Sequence, residues 1–139
     1  MDIRLATPED LPALCKLDTY AARHFERQVE IRSWIDQGVC HVADVGNELA
    51  GYGIMTNHFF GQSFVELIMV APHFRRSGIG LALIRFFQDS CHGRKLFTST
   101  NLSNHSMQSL LLKAGFRSSG HIDNLDKGDP ELVFFYSAL

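Results

Sequence analysis

Apolar residues recur along this chain at two different spacings, which alternate from segment to segment. Ile79, Leu83, Phe86 and Phe87 fall at i, i+4, i+7 and i+8, a spacing typical of an amphipathic helix. The run Phe64–Val70 is instead almost entirely apolar and ends shortly before a proline, as expected for a buried strand. The alternation of these two patterns predicts a chain that mixes helices with strands throughout.

Turn residues between the apolar segments set the expected bounds of each element. A first helix is predicted to start near Thr7 and Pro8, and Pro12 leaves its exact start open. The other predicted helices are Phe25–Gln37, Gly78–His92 and Ser106–Ala114. The predicted strands are Ile3–Leu5, Val39–Ala43, Leu49–Met55, Phe64–Val70, Leu96–Ser99, Phe116–Ile122 and Leu132–Tyr136. This order predicts an α/β fold, a mixed sheet with helices on its faces.

Size and charge narrow the class of protein. The 139 residues suit a single domain, 1–139, and a net charge of −2 argues against a nucleic-acid binder, which needs a basic surface. No apolar stretch reaches the roughly 18–20 residues of a membrane span, and the first residues do not resemble a signal peptide. We therefore expect a cytoplasmic protein without membrane contact.

Cysteine and histidine spacing argues against disulfides and metal. Cys15, Cys40 and Cys91 are odd in number and far apart, which indicates reduced thiols. The histidines never fall at the spacings typical of metal ligands, so no metal cofactor is expected.

The most informative segment lies in the middle of the chain. A buried strand ending at Val70 leads into a loop with Arg75 and Arg76, and Gly78 and Gly80 then open a helix. The first N–H groups of a helix lack intrahelical partners and carry partial positive charge. Glycines allow close approach of a ligand to the backbone, and arginine adds bidentate contacts to phosphate. The segment is therefore a candidate site for phosphate or pyrophosphate.

Two common phosphate-binding motifs do not fit this loop. A P-loop requires a lysine that is missing here, and Leu83 stands where a dinucleotide fingerprint would have its third glycine. From the residues alone, ordinary turn glycines beside solvated arginines remain the alternative.

The motif Arg75-x-x-Gly78-x-Gly80, after a strand ending Ile68-Met69-Val70, resembles the signature of the GNAT superfamily of N-acetyltransferases. A second block matches that family in spacing at Asn104, Leu110, Lys113, Gly115 and Phe116. The start of the chain is also similar, at Ile3, Arg4, Ala6, Thr7, Asp10 and Leu11. The resemblance implies a mostly antiparallel sheet whose central strands splay apart to admit acetyl-CoA.

The resemblance also implies roles for individual residues. Acetyl-CoA would be the co-substrate and a primary amine of a small molecule or peptide the acceptor. The Val70 backbone amide would polarise the thioester carbonyl. The implied cofactor-binding residues are Ile68, Met69, Val70, Arg75, Arg76, Ser77, Gly78, Ile79, Gly80, Leu81 and Asn104. An acyl-CoA-binding sensor that no longer transfers is the alternative function, and a homodimer is left open.

Glu66 is the candidate general base. It is the one ionisable residue of Phe64–Val70, and burial there would raise its pKa and suit it to work near neutral pH. A glutamate at a solvated strand end is the competing interpretation. His58 and His73 are lesser candidates.

The chain departs from the family pattern at Leu111, where many members carry a proton-donating tyrosine. Either Ser106, Ser109 or Tyr136 substitutes, or the reaction needs no general acid.

The acceptor side is the least defined part of the site. The first two helices would contribute Tyr20, Arg23, His24 and Arg27, and the last hairpin would contribute Asp123, Asn124, Asp126, Asp129 and Glu131. The acids favour a cationic acceptor, although a solvated acidic turn accounts for the same residues.

Overall fold

The computed structural model describes residues 1–138, which form seven strands and four α-helices. The strands are β1 (Asp2–Leu5), β2 (Cys40–Val45), β3 (Glu48–Phe59), β4 (Gln62–Val70), β5 (Leu96–Asn101), β6 (Arg117–Ile122) and β7 (Glu131–Tyr136). The helices are α1 (Leu11–Leu17), α2 (Phe25–Gln37), α3 (Ile79–Ser90) and α4 (His105–Lys113). The strand order in the sheet is β1-β2-β3-β4-β5-β7-β6.

The sheet is mixed, as the sequence predicts. β4 and β5 run parallel, whereas β2 is antiparallel to β1 and β3, and β7 is antiparallel to β5 and β6. The register between β4 and β5 pairs Ser63–Val65 with Leu96–Thr98, and both strands extend beyond it. The splaying of these two strands around a ligand stays a prediction.

The chain divides into two compact units. The first comprises Met1–Met55 and Leu67–Leu83, and the second comprises Thr56–Glu66 and the chain from Ile84 onward. That residues 1–139 form a single domain stays a prediction.

The first unit has apolar clusters on both faces of its strands. Leu67 and Met69 of β4 pack with the core that contains Leu14 of α1 and Ile31 of α2. The neighbouring residues Ile68 and Val70 pack instead with Ile79 and Leu83 of α3, together with Ala43 and Ala50. Because adjacent strand residues point to opposite faces, β4 is held from both sides just before the arginine-containing loop.

In the second unit, burial alternates along the strands. Leu96, Thr98 and Thr100 of β5 are buried, whereas the residues between them are only partly buried. The unit is also tied together by Gln88 of α3, whose side-chain amide donates to the carbonyl of Ala114, 2.8 Å away. One face of this half of the sheet is therefore well covered and the other is more open.

The largest difference from the predicted elements is the hairpin between β3 and β4. The prediction ended one strand at Met55 and began the next at Phe64, but the two strands extend to Phe59 and from Gln62. They meet at a tight turn in which Phe60 has φ 52° and Gly61 has φ 74°. A bulky residue in this left-handed conformation is uncommon, so Phe60-Gly61 was not recognised as a turn signal.

Candidate active site

The arginine-containing loop begins with a short 3₁₀ turn at Pro72–Phe74. Gly78 then adopts φ 86°, a conformation that favours glycine, and α3 begins at Ile79, one residue later than predicted. A Cβ atom added at Gly78 would meet no heavy atom within 4 Å. The start of α3 therefore opens onto free space, where a ligand can approach its unpaired N–H groups.

Two exposed arginines border this helix start. The Arg75 Nε donates to the carbonyl of Val70 at 3.3 Å, which keeps its guanidinium beside the end of β4. Arg76 has φ 64° and is exposed. Within residues 1–138, neither guanidinium pairs with a carboxylate. Both side chains are thus available to bind an anion. The helix start, the glycine and the two arginines together have the features of a phosphate-binding site.

Gly51 of β3 shapes the strand end that precedes the loop. A Cβ atom at this position would lie 2.7 Å from the carbonyl oxygen of Met69 and 3.1 Å from Cγ2 of Ile79. Only glycine allows β3 to approach the backbone of β4 and the first residue of α3 so closely. Gly51 is not among the residues predicted from the sequence, although a glycine inside a strand is a signal of close backbone approach.

We expect Gly51→Ala to destabilise the protein by about 1–3 kcal/mol, because the added methyl group overpacks against backbone that cannot move aside cheaply. Urea-induced unfolding, followed by circular dichroism, measures the change. Gly46→Ala gives a comparison without overpacking: a Cβ atom there meets open space, so any loss of stability reports only the strain of an alanine at φ 64°. An unfolding free energy for Gly51→Ala equal to that of the wild type would show that the contact is not restrictive.

Glu66 lies on β4, four residues before Val70. Its Oε2 accepts a hydrogen bond of 2.7 Å from the hydroxyl of Thr56, a side chain only 6% exposed. The expectation that Glu66 is buried is wrong, because its side chain is exposed. The carboxylate is therefore solvent-accessible and is held at one oxygen. Thr56 was not identified from the sequence, because it lay outside the predicted strands.

The tyrosine that the family pattern expects in α4 is absent, and Leu111 at that position is 1% exposed within the core. Of the three tyrosines, Tyr52 is fully buried and donates a short hydrogen bond to Asp18. Burial, followed by that carboxylate, raises the pKa of Tyr52 well above its usual value. Tyr52 is therefore a poor proton donor at neutral pH.

The remaining candidates for proton transfer lie at the surface. Ser106, Ser109 and His58 are exposed, and Tyr136 is half-buried with its ring 5.6 Å from that of Phe116. His73 is paired at 2.6 Å with Glu48 in the first unit. His73 therefore has a carboxylate partner. The other four side chains show no arrangement typical of proton transfer among residues 1–138.

Asn104 has a structural task. It is the N-cap of α4, and its Oδ1 accepts from the backbone N–H of Met107 at 3.1 Å. A contact between Asn104 and a cofactor stays a prediction. Ile68–Val70 and Arg75–Leu81 lie together in the first unit, whereas Asn104 and Glu66 belong to the second.

The acceptor-side candidates of the first unit form a rigid stack. The rings of Tyr20 and His24 lie 3.8 Å apart and nearly parallel, and the guanidinium of Arg27 lies 4.7 Å from the Tyr20 ring centre. Arg27 also donates to the buried carboxylate of Asp18 at 3.1 Å. Arg23 is exposed and outside this stack. The loop between α1 and α2 is therefore fixed by internal contacts.

The acidic segment of the second unit is also partly engaged. Asp126 accepts from the amide of Asn101 at 2.9 Å, Asp129 accepts from the hydroxyl of Ser103 at 2.6 Å, and Glu131 accepts from that of Ser99 at 2.7 Å. Asp123 lies 3.6 Å from His121, and Asn124 has φ 76° in the turn. These contacts favour the interpretation of an acidic turn stabilised by its own hydrogen bonds.

The described residues give no sign of a metal site or of a membrane-spanning helix. Residues 1–138 contain no cluster of three or more histidine, cysteine, aspartate or glutamate side chains arranged to hold a metal ion. None of the helices in that range is both long and apolar enough to cross a membrane. Cys15, Cys40 and Cys91 are free thiols.

Comparison with known proteins places the chain among acetyltransferases. The family model described as the acetyltransferase (GNAT) family matches residues 9–116. A GNAT-family acetyltransferase from Bacillus cereus ATCC 10987 is 33% identical, with a TM-score of 0.92 over 99% of this chain and 97% of that one. No curated protein matches the sequence significantly.

Two further structures share the fold at lower identity. Ard1 from Thermoplasma volcanium is 18% identical, with a TM-score of 0.83 over 99% of this chain and 97% of that one. An aminoglycoside 6'-N-acetyltransferase complexed with coenzyme A is 14% identical, with a TM-score of 0.82 over 100% and 98% of the two chains. At these identities the likeness shows the fold alone.

Proposed function

The chain belongs to the GNAT family of acetyltransferases, and on that premise we propose that it transfers the acetyl group of acetyl-CoA directly to a primary amine. The observation that carries this proposal is the open space at Gly78, just before α3, beside two exposed arginines that pair with no carboxylate within residues 1–138. The coenzyme A bound in the structurally similar aminoglycoside acetyltransferase supports the choice of co-substrate.

The pyrophosphate of acetyl-CoA would bind at Arg75 and at the backbone amides of 76–81. The N–H groups at the start of α3, which lack intrahelical partners, and the partial positive charge of the helix suit a doubly charged group. The backbone of Ile68–Val70 would pair with the pantetheine arm as an added strand does. The Val70 amide would then lie near the thioester, where it stabilises negative charge that develops on the carbonyl oxygen.

Glu66 would remove a proton from the attacking ammonium, directly or through one water. Its hydrogen bond with Thr56 orients the carboxylate. A carboxylate held in this way can take the proton itself or through one hydrogen-bonded water. Deprotonation makes the amine nucleophilic, and the amine attacks the thioester carbon.

A covalent acetyl-cysteine route is disfavoured by the state of the thiols. A cysteine nucleophile must form a thiolate. Burial, with a smaller contribution from the Asp10 charge, raises the pKa of Cys40 to about 12. Burial raises the pKa of Cys15 and of Cys91 as well. The thiols of this chain are therefore poorly suited to a two-step route through an acetyl-cysteine, which favours direct attack of the amine on acetyl-CoA.

We expect the reaction not to depend on a tyrosine proton donor. A thiol with a reference pKa of about 8.5 is a fair leaving group, and water can protonate it afterwards. Tyr20, Tyr52 and Tyr136 are the tyrosines of the chain, so three Tyr→Phe variants test the point fully. Each should retain kcat within about tenfold, because a true general acid contributes about 10²–10⁴-fold.

The kinetics are compared per mole of folded protein, because Tyr52→Phe removes a partner of the buried Asp18. A loss of about 100-fold in kcat in any one variant, with unchanged acetyl-CoA binding, would identify that tyrosine as the acid.

The alternative function is an acyl-CoA-binding sensor without transfer activity, and Leu111 is the residue that favours it. A thiol-release screen separates the two functions: acetyl-CoA is offered with amines, peptides and aminoglycosides, and free coenzyme A is detected. Amine-dependent release supports the transferase. Tight acetyl-CoA binding without release for any acceptor supports the sensor.

A further inference from the structure

Four phenylalanines form a continuous surface across the second unit: Phe59, Phe64, Phe97 and Phe135, on β3, β4, β5 and β7. Phe59 stacks on Phe64 with ring centres 4.8 Å apart, and it lies 5.3 Å from Phe97. Phe97 lies 5.4 Å from Phe135. The strand register places Phe64 beside Phe97 and Phe97 beside Phe135. We call these four residues the phenylalanine surface.

The phenylalanine surface lies on the more open side of this half of the sheet. Its four side chains are half-buried. Beside three of them lie buried residues: Val65 is 2% exposed, Leu96 0% and Phe134 4%, whereas the neighbours of Phe59, next to the hairpin turn, are exposed. Successive strand residues point to opposite faces, so the phenylalanine rings and the buried residues lie on different sides. Large apolar patches left partly open to solvent commonly mark binding sites.

The same alternation connects the surface to Glu66. Burial alternates along residues 63–66. Ser63 and Val65 are buried, whereas Phe64 is half-buried and Glu66 is exposed. Phe64 and Glu66 are two residues apart on β4 and therefore share a face, with Cα atoms about 6–7 Å apart. Thr56 holds the Glu66 carboxylate at this point. An apolar platform and a fixed carboxylate thus lie side by side within one unit.

We propose that the acceptor is a primary amine that carries an aromatic group, whose ring lies on the phenylalanine surface while its amine meets Glu66. This inference rests on the proposed function, in which Glu66 is the base. Aromatic rings associate favourably in offset or edge-to-face contacts, and the half-buried rings here supply both faces and edges. The spacing between Phe64 and Glu66 suits an amine separated from its ring by a short alkyl chain.

The test compares two amines that differ by the ring alone, ethylamine and 2-phenylethylamine, by titration against the wild-type protein with NMR detection of binding. We expect 2-phenylethylamine to bind at least about tenfold more tightly, because it buries a phenyl group. Equal affinity for the two amines would overturn the proposal, and this readout does not depend on any variant folding or on turnover.

Variants then locate the ring. Phe97→Ala should reduce the affinity ratio of the two amines to about threefold or less, because it removes the central ring of the platform. Phe97→Leu keeps most of the volume and should show an intermediate ratio. Phe86→Ala makes the same change at another half-buried phenylalanine, on α3, and should keep the wild-type ratio. A wild-type ratio in folded Phe97→Ala would place the ring elsewhere and overturn the proposal.

Glu66→Gln separates this inference from the proposed function. If Glu66 is the base, the variant loses turnover but keeps the preference for 2-phenylethylamine in binding. If turnover persists in Glu66→Gln while the ring preference remains, the base assignment fails and the phenylalanine surface stands. If wild-type turnover is normal but the ring preference is absent, the surface fails and the acetyltransferase function stands.

Discussion

Glu66→Gln should lower kcat by about 100-fold or more, because it removes the carboxylate that we propose accepts the ammonium proton. The substitution preserves shape, and the glutamine carbonyl oxygen can still accept the hydrogen bond from Thr56. The acidic limb of the pH–rate profile should also flatten, since activity at low pH falls when the base is protonated. Steady-state kinetics over a range of pH values measure both effects.

Glu9→Gln is the matched control, because it makes the same change at another exposed glutamate, in the 3₁₀ turn before α1. Its kcat and pH profile should match those of the wild type. An unchanged profile for Glu66→Gln would exclude Glu66 as the base and direct attention to His58.

The second large effect concerns the start of α3. Gly78→Asp should weaken acetyl-CoA binding by about 100-fold or more, because in the proposed site a carboxylate at this position would face the pyrophosphate, and like charges in close contact cost several kcal/mol. The side chain meets open space, so its effect is not a clash with the protein. Calorimetric titration with acetyl-CoA measures the affinity.

Gly78→Asn is the control for this prediction. Asparagine has nearly the same shape as aspartate and tolerates the left-handed backbone about as well, so both variants carry the same strain at φ 86°. The difference between them isolates the charge. Equal acetyl-CoA affinities for the two variants would show that the pyrophosphate does not bind at this helix start.

The central segment was readable from sequence because local chemistry determines its structure. A strand that ends near a proline, a loop with arginines and a glycine before an amphipathic run predict a helix start, and the structure begins α3 at Ile79. The mixed sheet followed from the alternation of helical and extended patterns. Both conclusions rest on neighbours in the chain and need no knowledge of tertiary contacts.

The features that were missed depend on residues distant in the chain. The residue type at Gly51 is restricted by close contacts with Met69 and Ile79. The hydrogen bond from Thr56 to Glu66 forms only because the β3–β4 hairpin brings the two residues together. The prediction that Glu66 is buried is wrong because one face of β4 is partly open there, and an apolar run in the sequence does not show which of its faces is covered. The N-cap role of Asn104 is a local feature instead, because its partner Met107 lies three residues away, and an asparagine just before a helix is a sequence signal for a cap.

The central claim is that this protein moves an acetyl group from acetyl-CoA to an amine. The most direct test follows an isotope-labelled acetyl group by mass spectrometry, with labelled acetyl-CoA and 2-phenylethylamine or another amine selected by the thiol-release screen. We predict that the label appears on the amine nitrogen at the same rate as coenzyme A is released. Glu66→Gln should slow the labelling and the release equally. Release of coenzyme A with the label found only in acetate, or no release with any amine, would contradict it.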